Sequence, residues 1–413
     1  MIRVPKWLKR TNRIPVKKHG IALAMFDEDA VSAVRRLQKA GFEAYVVGGA
    51  VRDLLLDIVP KDFDISTNAT PTEVRRLFRR SRIIGRRFQI VHLYFYRGKK
   101  MRIIEVTTFR ADGDEVISDE NSGRILQDNL FGSASDDAVR RDFTCNALFY
   151  EPTTENIIDY TGGYDDIRRG RLRLIGAPAI RFRQDPVRLL RALRLGVKLN
   201  LTISQATQKT FALYAPLLTA ITTSRLFDEF AKIINSGASA NIIQRCAECG
   251  ITDHILPAVS SGGDFFMNAL KKADLRHQSG KDISLSFIIA ALFWMPVRCR
   301  WLALQQEGML SVAAMEQALE AANFPANNIV PRRVVARAVD LYFLVARFVG
   351  KVTLRRTRGV LRNPLFDRAI AFGTLCGGDI EPEVVQWWSD YQLAGDDERK
   401  TMIATKNPGT PNR

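Results

Sequence analysis

The chain has 413 residues, of which 46% are hydrophobic and 25% are charged, and its formal net charge is +17. This length favours two or three domains with a sizeable core, and no apolar run approaches the ~20 residues that a membrane helix needs. The first residues are basic but lack the apolar stretch of a secretory signal, so we expect a cytoplasmic protein without a membrane partner. The excess of positive charge favours a polyanionic partner, nucleic acid above all.

Helices and strands alternate over the first part of the chain, which predicts an α/β head at residues 27–176 after a loose basic arm at residues 1–26. Thr70 and Glu73 have the spacing of a capping box at a helix start, and the RGKK run is the expected turn between two strands. Hydrophobic spacing predicts helices at residues 27–40, 50–56 and 71–78, and strands at residues 44–47, 90–96, 102–108 and 157–159, with a further segment of the head at 142–150.

Beyond residue 177 the pattern becomes helical. Apolar periodicity predicts helices at residues 186–198, 203–214, 224–235, 240–249, 284–293 and 330–348. Ser-Gly-Gly at residues 261–263 and the segment 323–328 are the expected connections. We therefore expect a helical neck at residues 177–240, a helical body at residues 241–404 and a disordered end at residues 405–413.

Residues 45–67, YVVGGAVRDLLLDIVPKDFDIST, carry the strongest chemical signal in the chain. They predict a strand, a Gly-Gly turn, a short helix and a second strand that carries Asp62 and Asp64. Side chains alternate across a strand, so the two carboxylates share one face while Phe63 and Ile65 point to the core. A carboxylate pair of this kind repels unless a divalent cation lies between the two groups. The pattern therefore predicts a magnesium site for phosphoryl transfer, although D-x-D alone also occurs as a solvated surface pair.

Gly48 and Gly49 follow the predicted buried strand and open the short helix. Glycine lets the backbone approach phosphate oxygens, and the start of a helix favours anions. Arg52, one turn into the helix, can reach the same phosphates. Gly-Gly alone is a common tight turn, so this prediction depends on the aspartates downstream.

Two further segments place charge beside apolar runs. In RRDFTCNALFY, we assign Arg141 to phosphate or ribose and Asp142 to supporting the metal carboxylates; the alternative is that Asp142 caps a helix or strand. Glu105, in RIIEVTTFR, is a candidate supporting acid, and its alternative is an ordinary surface glutamate on a strand.

The run QDPVRLLRALR begins a helix with Asp185 before a proline, as a helix start prefers. Arg188 and Arg191 then lie near the N-terminal end, where the helix dipole does not favour cations. Asp185 can accept from an exocyclic amine while Arg188 donates to the adjacent ring nitrogen, which reads a Watson–Crick edge. Adenine and cytosine present similar edges, so the pair excludes G and U better than it separates ATP from CTP.

The motifs GGAVRDLLL, KDFDIST, EVTTFR, RRDFTCNAL and QDPVRLLRALR occur in this order, and the chain resembles the class II branch of the nucleotidyltransferase superfamily. That branch comprises bacterial poly(A) polymerases and tRNA CCA-adding enzymes. The resemblance covers residues 21–240 strongly and the helical remainder more loosely. It implies an α+β fold: a polymerase-β-like head with a small mixed sheet, followed by all-helical neck and body domains.

The resemblance also implies roles for individual residues. The metal ligands would be Asp62 and Asp64, and Asp142 would be an active-site acid. The remaining roles fall to nucleotide-binding residues: Gly49, Arg52 and Arg141 for triphosphate and ribose, and Asp185, Arg188 and Arg191 for base selection. One departure is Gln184, which stands where relatives commonly have Glu.

The run IIGRRFQIVHLYF resembles the poly(A) polymerase form of its loop rather than the G-x-x-H-G-T-V-like run of CCA-adding enzymes. We therefore expect template-independent addition of AMP from ATP to single-stranded RNA 3′ ends with low sequence specificity, a modification that promotes RNA decay, with Mg²⁺ as cofactor and Mn²⁺ as the alternative ion. The alternatives are a tRNA CCA-adding or A-adding enzyme and, from another class, a non-catalytic RNA-binding protein.

Overall fold

The computed structural model describes residues 11–85, 89–98, 100–111, 117–118, 125–127, 131–256, 258–322, 324, 329–350 and 352–406. Several predicted features lie wholly or partly outside the described residues, among them the start of the basic arm, residues 86–88 of the run IIGRRFQIVHLYF, Lys99 of the RGKK turn, most of the connection at 323–328 and residues 407–413 of the disordered end. The described chain forms two units. The first comprises Met1–Arg188 and Leu199–Thr210, and the second comprises Leu189–Lys198 and Phe211–Arg413. The predicted domain limits at 176 and 240 remain predictions.

A mixed β-sheet forms the centre of the first unit. Its described strands are β1 (Asn12–Ile14), β2 (Ala44–Val47), β3 (Asp64–Thr67), β4 (Ser81–Ile84), β5 (Ile90–Arg97), β6 (Lys100–Thr108), β9 (Leu148–Glu151) and β10 (Asn156–Asp159). Their spatial order across the sheet is β1-β10-β9-β2-β3-β6-β5-β4. Two short pairs lie outside this sheet: β7 (Ile117–Ser118) with β8 (Ile125–Gln127), and β11 (Arg171–Leu172) with β12 (Thr202–Ile203). Strands β3 and β6 pair in parallel and the other neighbours of the sheet pair antiparallel, so the predicted mixed sheet is confirmed.

Several helices of the first unit begin at side-chain caps that the sequence supplies. Asp27 accepts from the main-chain nitrogens of Asp29 and Ala30, and Thr70 and Glu73 form the complete capping box that their spacing predicts. The helices are α1 (Val16–His19), α2 (Glu28–Lys39), α3 (Gly49–Leu55), α4 (Pro71–Leu77), α5 (Ala134–Arg140), α6 (Gly163–Arg168), α7 (Pro178–Gln184), the start of α8 (Val187–Lys198) and α9 (Gln205–Gln208).

Residues 12–14 of the expected loose arm form an edge strand, because Asn12 to Ile14 pair with Asp159 to Ile157. RGKK connects β5 and β6, as predicted, and its first and last residues, Arg97 and Lys100, are partners in the β5–β6 ladder. Gly98, with a φ of 60°, supplies the left-handed conformation that so tight a turn needs.

The second unit is helical throughout its described part. Its helices are the remainder of α8, α10 (Phe211–Tyr214), α11 (Thr223–Ile234), α12 (Ser239–Glu248), α13 (Thr252–Ile255), α14 (Ala258–Gln278), α15 (Leu285–Gln306), α16 (Ser311–Ala321), α17 (Arg332–Phe348), α18 (Leu354–Leu361), α19 (Phe366–Cys376), α20 (Pro382–Leu393) and α21 (Asp396–Lys406). The predicted helix at 203–214 is wrong, because that stretch divides into β12 and two four-residue helices. Ser-Gly-Gly at residues 261–263 connects two helical segments, as predicted, because Gly263 departs from helical geometry with a φ of 50° and divides α14 there.

Helix α15 extends 13 residues past the predicted end at 293 and has 22 residues. By length and composition alone, this helix could cross a membrane. Buried core helices of globular domains have the same length and composition, so these two properties do not distinguish the two cases. The aromatic ring of Trp294 in α15 lies 5.6 Å from that of Tyr342 and 5.3 Å from that of Phe372. All three side chains are fully buried. The apolar character of α15 is therefore explained by its place in the core of this unit.

Candidate active site

The two predicted metal ligands lie at the start of β3. The strand begins at Asp64, so the expectation that one strand carries both aspartates is corrected: Asp62 precedes the strand by two residues. Phe63 and Ile65 are buried, as predicted, while Asp62 and Asp64 are exposed to solvent. The alternation of core and solvent side chains thus begins two residues before the hydrogen-bonded strand.

The parallel pairing of β3 with β6 brings a third carboxylate to this position. Ile65 is the partner of Val106, so the preceding residues, Asp64 and Glu105, lie side by side on the two strands. The Glu105 carboxylate also lies 3.4 Å from Nε2 of His92 on β5. Glu105 is therefore placed beside the aspartates, as the candidate supporting acid should be.

The electrostatics of Asp64 reflect this crowding. Partial loss of hydration raises the pKa of the Asp64 carboxyl to about 6, and the negative charges of Glu105 and Asp62 also raise it, against the lowering effect of Arg141. A carboxylate whose ionisation is opposed by two neighbouring acids is stabilised by a cation. The donors are hard oxygens, which suit Mg²⁺. In the described part of the chain no group of three or more His, Cys, Asp or Glu residues forms a complete metal cluster, so a metal here would need further oxygen ligands, such as those of a phosphate.

The Gly-Gly turn lies against the arginine of the RRD motif. Gly48 has a φ of 73°, and a Cβ at this position would lie 3.1 Å from Nη1 of Arg141. The turn thus needs glycine both for its left-handed conformation and for the close approach of a guanidinium. Gly49 is the first residue of α3, as predicted to within one residue.

Arg52 is held rigidly on α3. Its Nη1 donates to Oδ1 of Asn146 at 2.6 Å, and its Nε and Nη2 donate to Oδ1 of Asp53 at 2.8 Å and 2.5 Å. Asn146 in turn donates from Nδ2 to Oδ1 of Asp142 at 3.0 Å. Asn146 therefore connects a predicted phosphate-binding arginine with a predicted active-site acid that lies far from it in the sequence.

The Arg141 guanidinium is fixed by a buried carboxylate. Asp137, which is fully buried, accepts from Nε and Nη2 of Arg141 at 3.2 Å and 2.7 Å and also from Arg140. Arg141 Nη2 also donates to Oγ of Ser66 at 3.1 Å. Ser66 lies two residues after Asp64 on β3, so both side chains share one face of the sheet. Burial alone would raise the pKa of Asp137, but Arg141 and Arg140 more than offset it and hold the pKa below its ordinary value.

The predicted base-reading residues begin at the end of α7. Asp185 accepts from the main-chain nitrogen of Val187 at 3.2 Å, which confirms its capping position, and α8 begins at Val187. Arg188 donates from Nη1 to the carbonyl oxygen of Arg181 at 2.9 Å. Arg191 follows three residues later on α8 and belongs to the second unit. Asp185 and Arg188 are both half-buried, so each keeps part of its surface for a ligand.

Arg181 links the base-reading segment to the RRD motif. It is 5% exposed, and its Nη2 donates to the carbonyl oxygens of Arg140 and Arg141, both at 2.6 Å. Its Nη1 donates to Oε1 of Gln184 at 3.1 Å. The residue that departs from the family pattern, Gln184, thus retains a hydrogen bond to the arginine that joins the two segments.

The structure groups the predicted residues in three sets. Asp62, Asp64 and Glu105 form an acidic group with Arg141 beside it; Arg52 and Asp142 are joined by Asn146; Asp185 and Arg188 are joined to the RRD motif by Arg181. Sequence reasoning missed Asp137, Asn146 and Arg181. The polar cavity of about 480 Å³ in this unit, lined by Asp159, Thr161 and Arg173 among others, contains none of the predicted site residues.

The fold and the acidic group define a nucleotidyltransferase head with a mixed sheet, followed by helical regions. Family models match this chain in three places: "Poly A polymerase head domain" at residues 44–173, "Probable RNA and SrmB- binding site of polymerase A" at residues 200–262, and "Polymerase A arginine-rich C-terminus" at residues 307–413. Poly(A) polymerase I of Salmonella typhi is 36% identical over 415 residues, covering 94% of this chain and 88% of the relative. The chain therefore belongs to the poly(A) polymerase family.

Other relatives agree with this assignment. Poly(A) polymerase I of Haemophilus influenzae is 34% identical, covering 95% of this chain and 90% of the relative. The CCA-adding enzyme of Geobacillus thermodenitrificans is 35% identical but covers only 59% of this chain and 57% of the relative. Among solved structures, the CCA-adding enzyme of Bacillus stearothermophilus in complex with CTP superposes with a TM-score of 0.59 at 24% identity, covering 93% of this chain and 89% of that one. At this identity the structural similarity establishes the fold alone.

Proposed function

We propose that this chain is a polynucleotide adenylyltransferase, which adds AMP from ATP to RNA 3′ ends without a template. The observation that carries the proposal is the difference in coverage between its two groups of relatives. Poly(A) polymerase I of Salmonella typhi matches 94% of the chain, whereas the CCA-adding enzyme of Geobacillus thermodenitrificans matches 59% at similar identity. Similarity to the poly(A) polymerases thus includes the helical regions as well as the head.

In the proposed mechanism, the acidic group serves a metal-assisted transfer. Asp62 and Asp64 would hold Mg²⁺, which lowers the pKa of the attacking 3′-hydroxyl and neutralises charge on the leaving pyrophosphate. Glu105 keeps the local field negative on the adjacent strand. This negative charge favours uptake of the cation and is consistent with the raised pKa of Asp64.

The cationic side chains would orient the triphosphate. Arg141 lies between the acidic group and the Gly48 turn, and its guanidinium is fixed by Asp137 and Ser66 before any ligand arrives. Arg52 is oriented by Asp53 and Asn146, and Asn146 also holds Asp142. Such preorganisation supports transfer because the donors do not have to reorient as charge develops.

Base selection is assigned to the segment at the end of α7. Asp185 would accept from the N6 amine of adenine and Arg188 would donate to N1, with Arg191 nearby on the same helix. The substrate would be a single-stranded RNA 3′ end, bound through its phosphates with low sequence specificity and strong salt dependence, as the net charge of +17 favours. We assign the reaction to the cytoplasm and to RNA processing.

A second candidate function is CCA or A addition to tRNA. It is favoured by one observation: the pair Asp185 and Arg188 can read cytosine as well as adenine. The poly(A) assignment is tested by incubating the purified chain with a non-tRNA oligonucleotide, Mg²⁺ and each nucleoside triphosphate separately. A long tail with ATP alone is expected. Extension that stops after one or a few residues would favour tRNA repair, and absence of pyrophosphate release with every substrate would indicate a non-catalytic RNA-binding protein.

A further inference from the structure

Three arginines line one cavity of the second unit, and they are distant in sequence from the predicted active-site residues. The cavity has a volume of about 420 Å³, within the range of small-ligand sites, and its described lining is Val312, Arg347, Thr353, Arg355, Arg356, Gly359 and Val360. Three of these residues are arginines, and no acidic side chain is part of the described lining. The charge of the cavity is thus strongly positive.

The arginines come from two elements. Arg347 lies in the last turn of α17, whereas Arg355 and Arg356 lie in the first turn of α18, directly after its N-cap, Thr353. Cations at the start of a helix are disfavoured by the helix dipole, which places partial positive charge there. The dipole of α18 and the three guanidiniums therefore all contribute positive charge around the same space.

Arg356 is held by hydrogen bonds to the backbone between the two helices. Its Nη2 donates to the carbonyl oxygens of Arg347 and Val349 at 3.0 Å and 3.2 Å. Burial lowers the pKa of Arg356, and the positive charge of Arg347 lowers it further, so the two guanidiniums repel each other. The arrangement is therefore electrostatically unfavourable in the absence of an anion.

Arg347 and Arg355 are the members available to a ligand. Both are exposed, and within the described residues neither forms an ion pair with a carboxylate. Two carboxylates of this unit, those of Asp379 and Glu307, are paired with other arginines, Arg298 and Arg300 respectively. Gly359 adds no side chain to the wall, and a Cβ placed there would meet no atom within 4 Å. The cavity wall at Gly359 is thus open.

We propose that this cavity binds a backbone phosphate of the RNA substrate, with Arg347 and Arg355 as its direct ligands and Arg356 holding the wall in place. Guanidiniums bind phosphate oxygens through paired N–H donors, and phosphate neutralises the charge that accumulates at the start of α18. The inference rests on the proposed function for the identity of the ligand, because RNA supplies the phosphodiesters. It adds a defined RNA-binding site at Arg347, Arg355 and Arg356.

The test compares RNA binding by the wild-type chain, the double variant R347Q/R355Q and a matched control, R332Q/R333Q, which removes two exposed arginines from the other end of α17. Fluorescence anisotropy with a labelled oligoadenylate, measured without ATP, does not depend on catalysis. We expect R347Q/R355Q to bind the oligoadenylate about tenfold more weakly at about 100 mM salt. The magnitude of the slope of log affinity against log salt concentration should also decrease, by about 0.7 for each phosphate that the variant no longer neutralises. The variant R347K/R355K keeps the charge but loses the paired N–H donors, so it should recover only part of the affinity.

Several outcomes would overturn the proposal. Equal weakening by R332Q/R333Q would show diffuse surface charge rather than a site, and unchanged affinity in R347Q/R355Q would remove the site altogether. Saturable binding of pyrophosphate that disappears in R347Q/R355Q while RNA binding is kept would assign the cavity to a free phosphate. Competition by polyglutamate as effective as that by RNA would assign it to an acidic protein. Failure of the adenylation assay with intact RNA binding would reject the proposed function and leave this site standing.

Discussion

Arg181 donates a hydrogen bond from Nη2 to the main-chain carbonyl oxygen of Arg141 at 2.6 Å, although 40 residues separate the two in the chain. The same nitrogen donates to the carbonyl of Arg140, and the carbonyl of Arg181 accepts from Arg188. A single buried arginine therefore joins the segment assigned to the triphosphate with the segment assigned to the base. Neither segment can shift without breaking charge-assisted hydrogen bonds.

Replacing Arg181 by methionine should weaken both the fold and nucleotide selection. The change leaves two half-buried carbonyls without this donor, so we expect the free energy of unfolding to fall by about 2 kcal/mol. We also expect the preference for ATP over CTP to decrease. Urea unfolding and single-nucleotide incorporation with each triphosphate measure the two effects. The exposed Arg183 on the same helix gives the matched control R183M. A variant that is destabilised but fully selective would limit Arg181 to a structural role.

Replacing Asp137 by asparagine should destabilise the first unit in a pH-dependent way. The carboxylate is buried between two arginines, and its removal leaves their charges without a partner, at an expected cost of about 3 kcal/mol at about pH 7. Because the folded-state pKa lies below the unfolded value of about 3.9, this contribution is present above about pH 4 and disappears as the pH falls through the lowered pKa.

The measurement for Asp137 is urea unfolding of the wild-type chain and D137N from about pH 3 to about pH 7. The difference in stability should be constant above about pH 5 and should shrink towards about pH 3. The control is D136N, at the neighbouring capping position. A difference that grows as the pH falls would contradict the assigned sign.

Replacing Asn146 by alanine should raise the KM for ATP about tenfold, because Arg52 loses the acceptor that orients it and Asp142 loses a donor. The variant N146D separates the two hydrogen bonds. Aspartate keeps an acceptor for Arg52 but places a second carboxylate against Asp142, so its defect should be larger if the bond to Asp142 matters more. Steady-state kinetics at saturating RNA provide the readout, and a wild-type KM in both variants would exclude a positioning role.

Replacing Arg188 by alanine should reduce discrimination between nucleotides rather than binding of the triphosphate. The donor that is removed is the one assigned to the ring nitrogen, so incorporation of the other nucleotides should rise relative to that of ATP. Competition assays with mixed triphosphates measure the ratio directly. Unchanged selection would remove the assigned role.

Replacing Asp62 by alanine should abolish AMP incorporation while leaving RNA affinity nearly intact, because this side chain is exposed and does not belong to the core. The control is D165A, which removes an exposed aspartate elsewhere in the first unit. Parallel measurements of incorporation and RNA anisotropy are needed. An equal loss of both would indicate misfolding rather than removal of a metal ligand.

Local sequence patterns were sufficient for much of the first unit. The helix starts at Asp27 and Thr70 were predictable because a cap and its partner lie within one helical turn. The burial of Phe63 and Ile65 beside exposed aspartates was predictable from strand alternation. The resemblance to a known family added the roles of residues in five motifs, which these local patterns alone do not assign.

The remaining features depend on contacts between distant segments. Asn146 meets a guanidinium 94 residues away, and Arg181 meets carbonyls 40 and 41 residues away, so no local pattern indicates either contact. The predicted form of helix α15 was too short, because Pro296 and Arg298 interrupt the apolar pattern of the sequence. In the structure the helix continues past both residues to Gln306, and its buried side chains extend to Leu304. The connection at Ser-Gly-Gly, by contrast, was predictable from the sequence, because Gly263 permits the positive φ that divides α14 into two helical segments.

The parallel ladder between β3 and β6 has a consequence for how this family can vary. Asp64 and Glu105 stay adjacent only while both strands keep their register. Insertions at the hairpin tip near Gly98 lengthen a turn without touching that register. Deletion of one residue between Glu105 and Thr108 would instead rotate the glutamate to the opposite surface of the sheet. Length changes should therefore be tolerated at one end of this hairpin and eliminated by selection at the other.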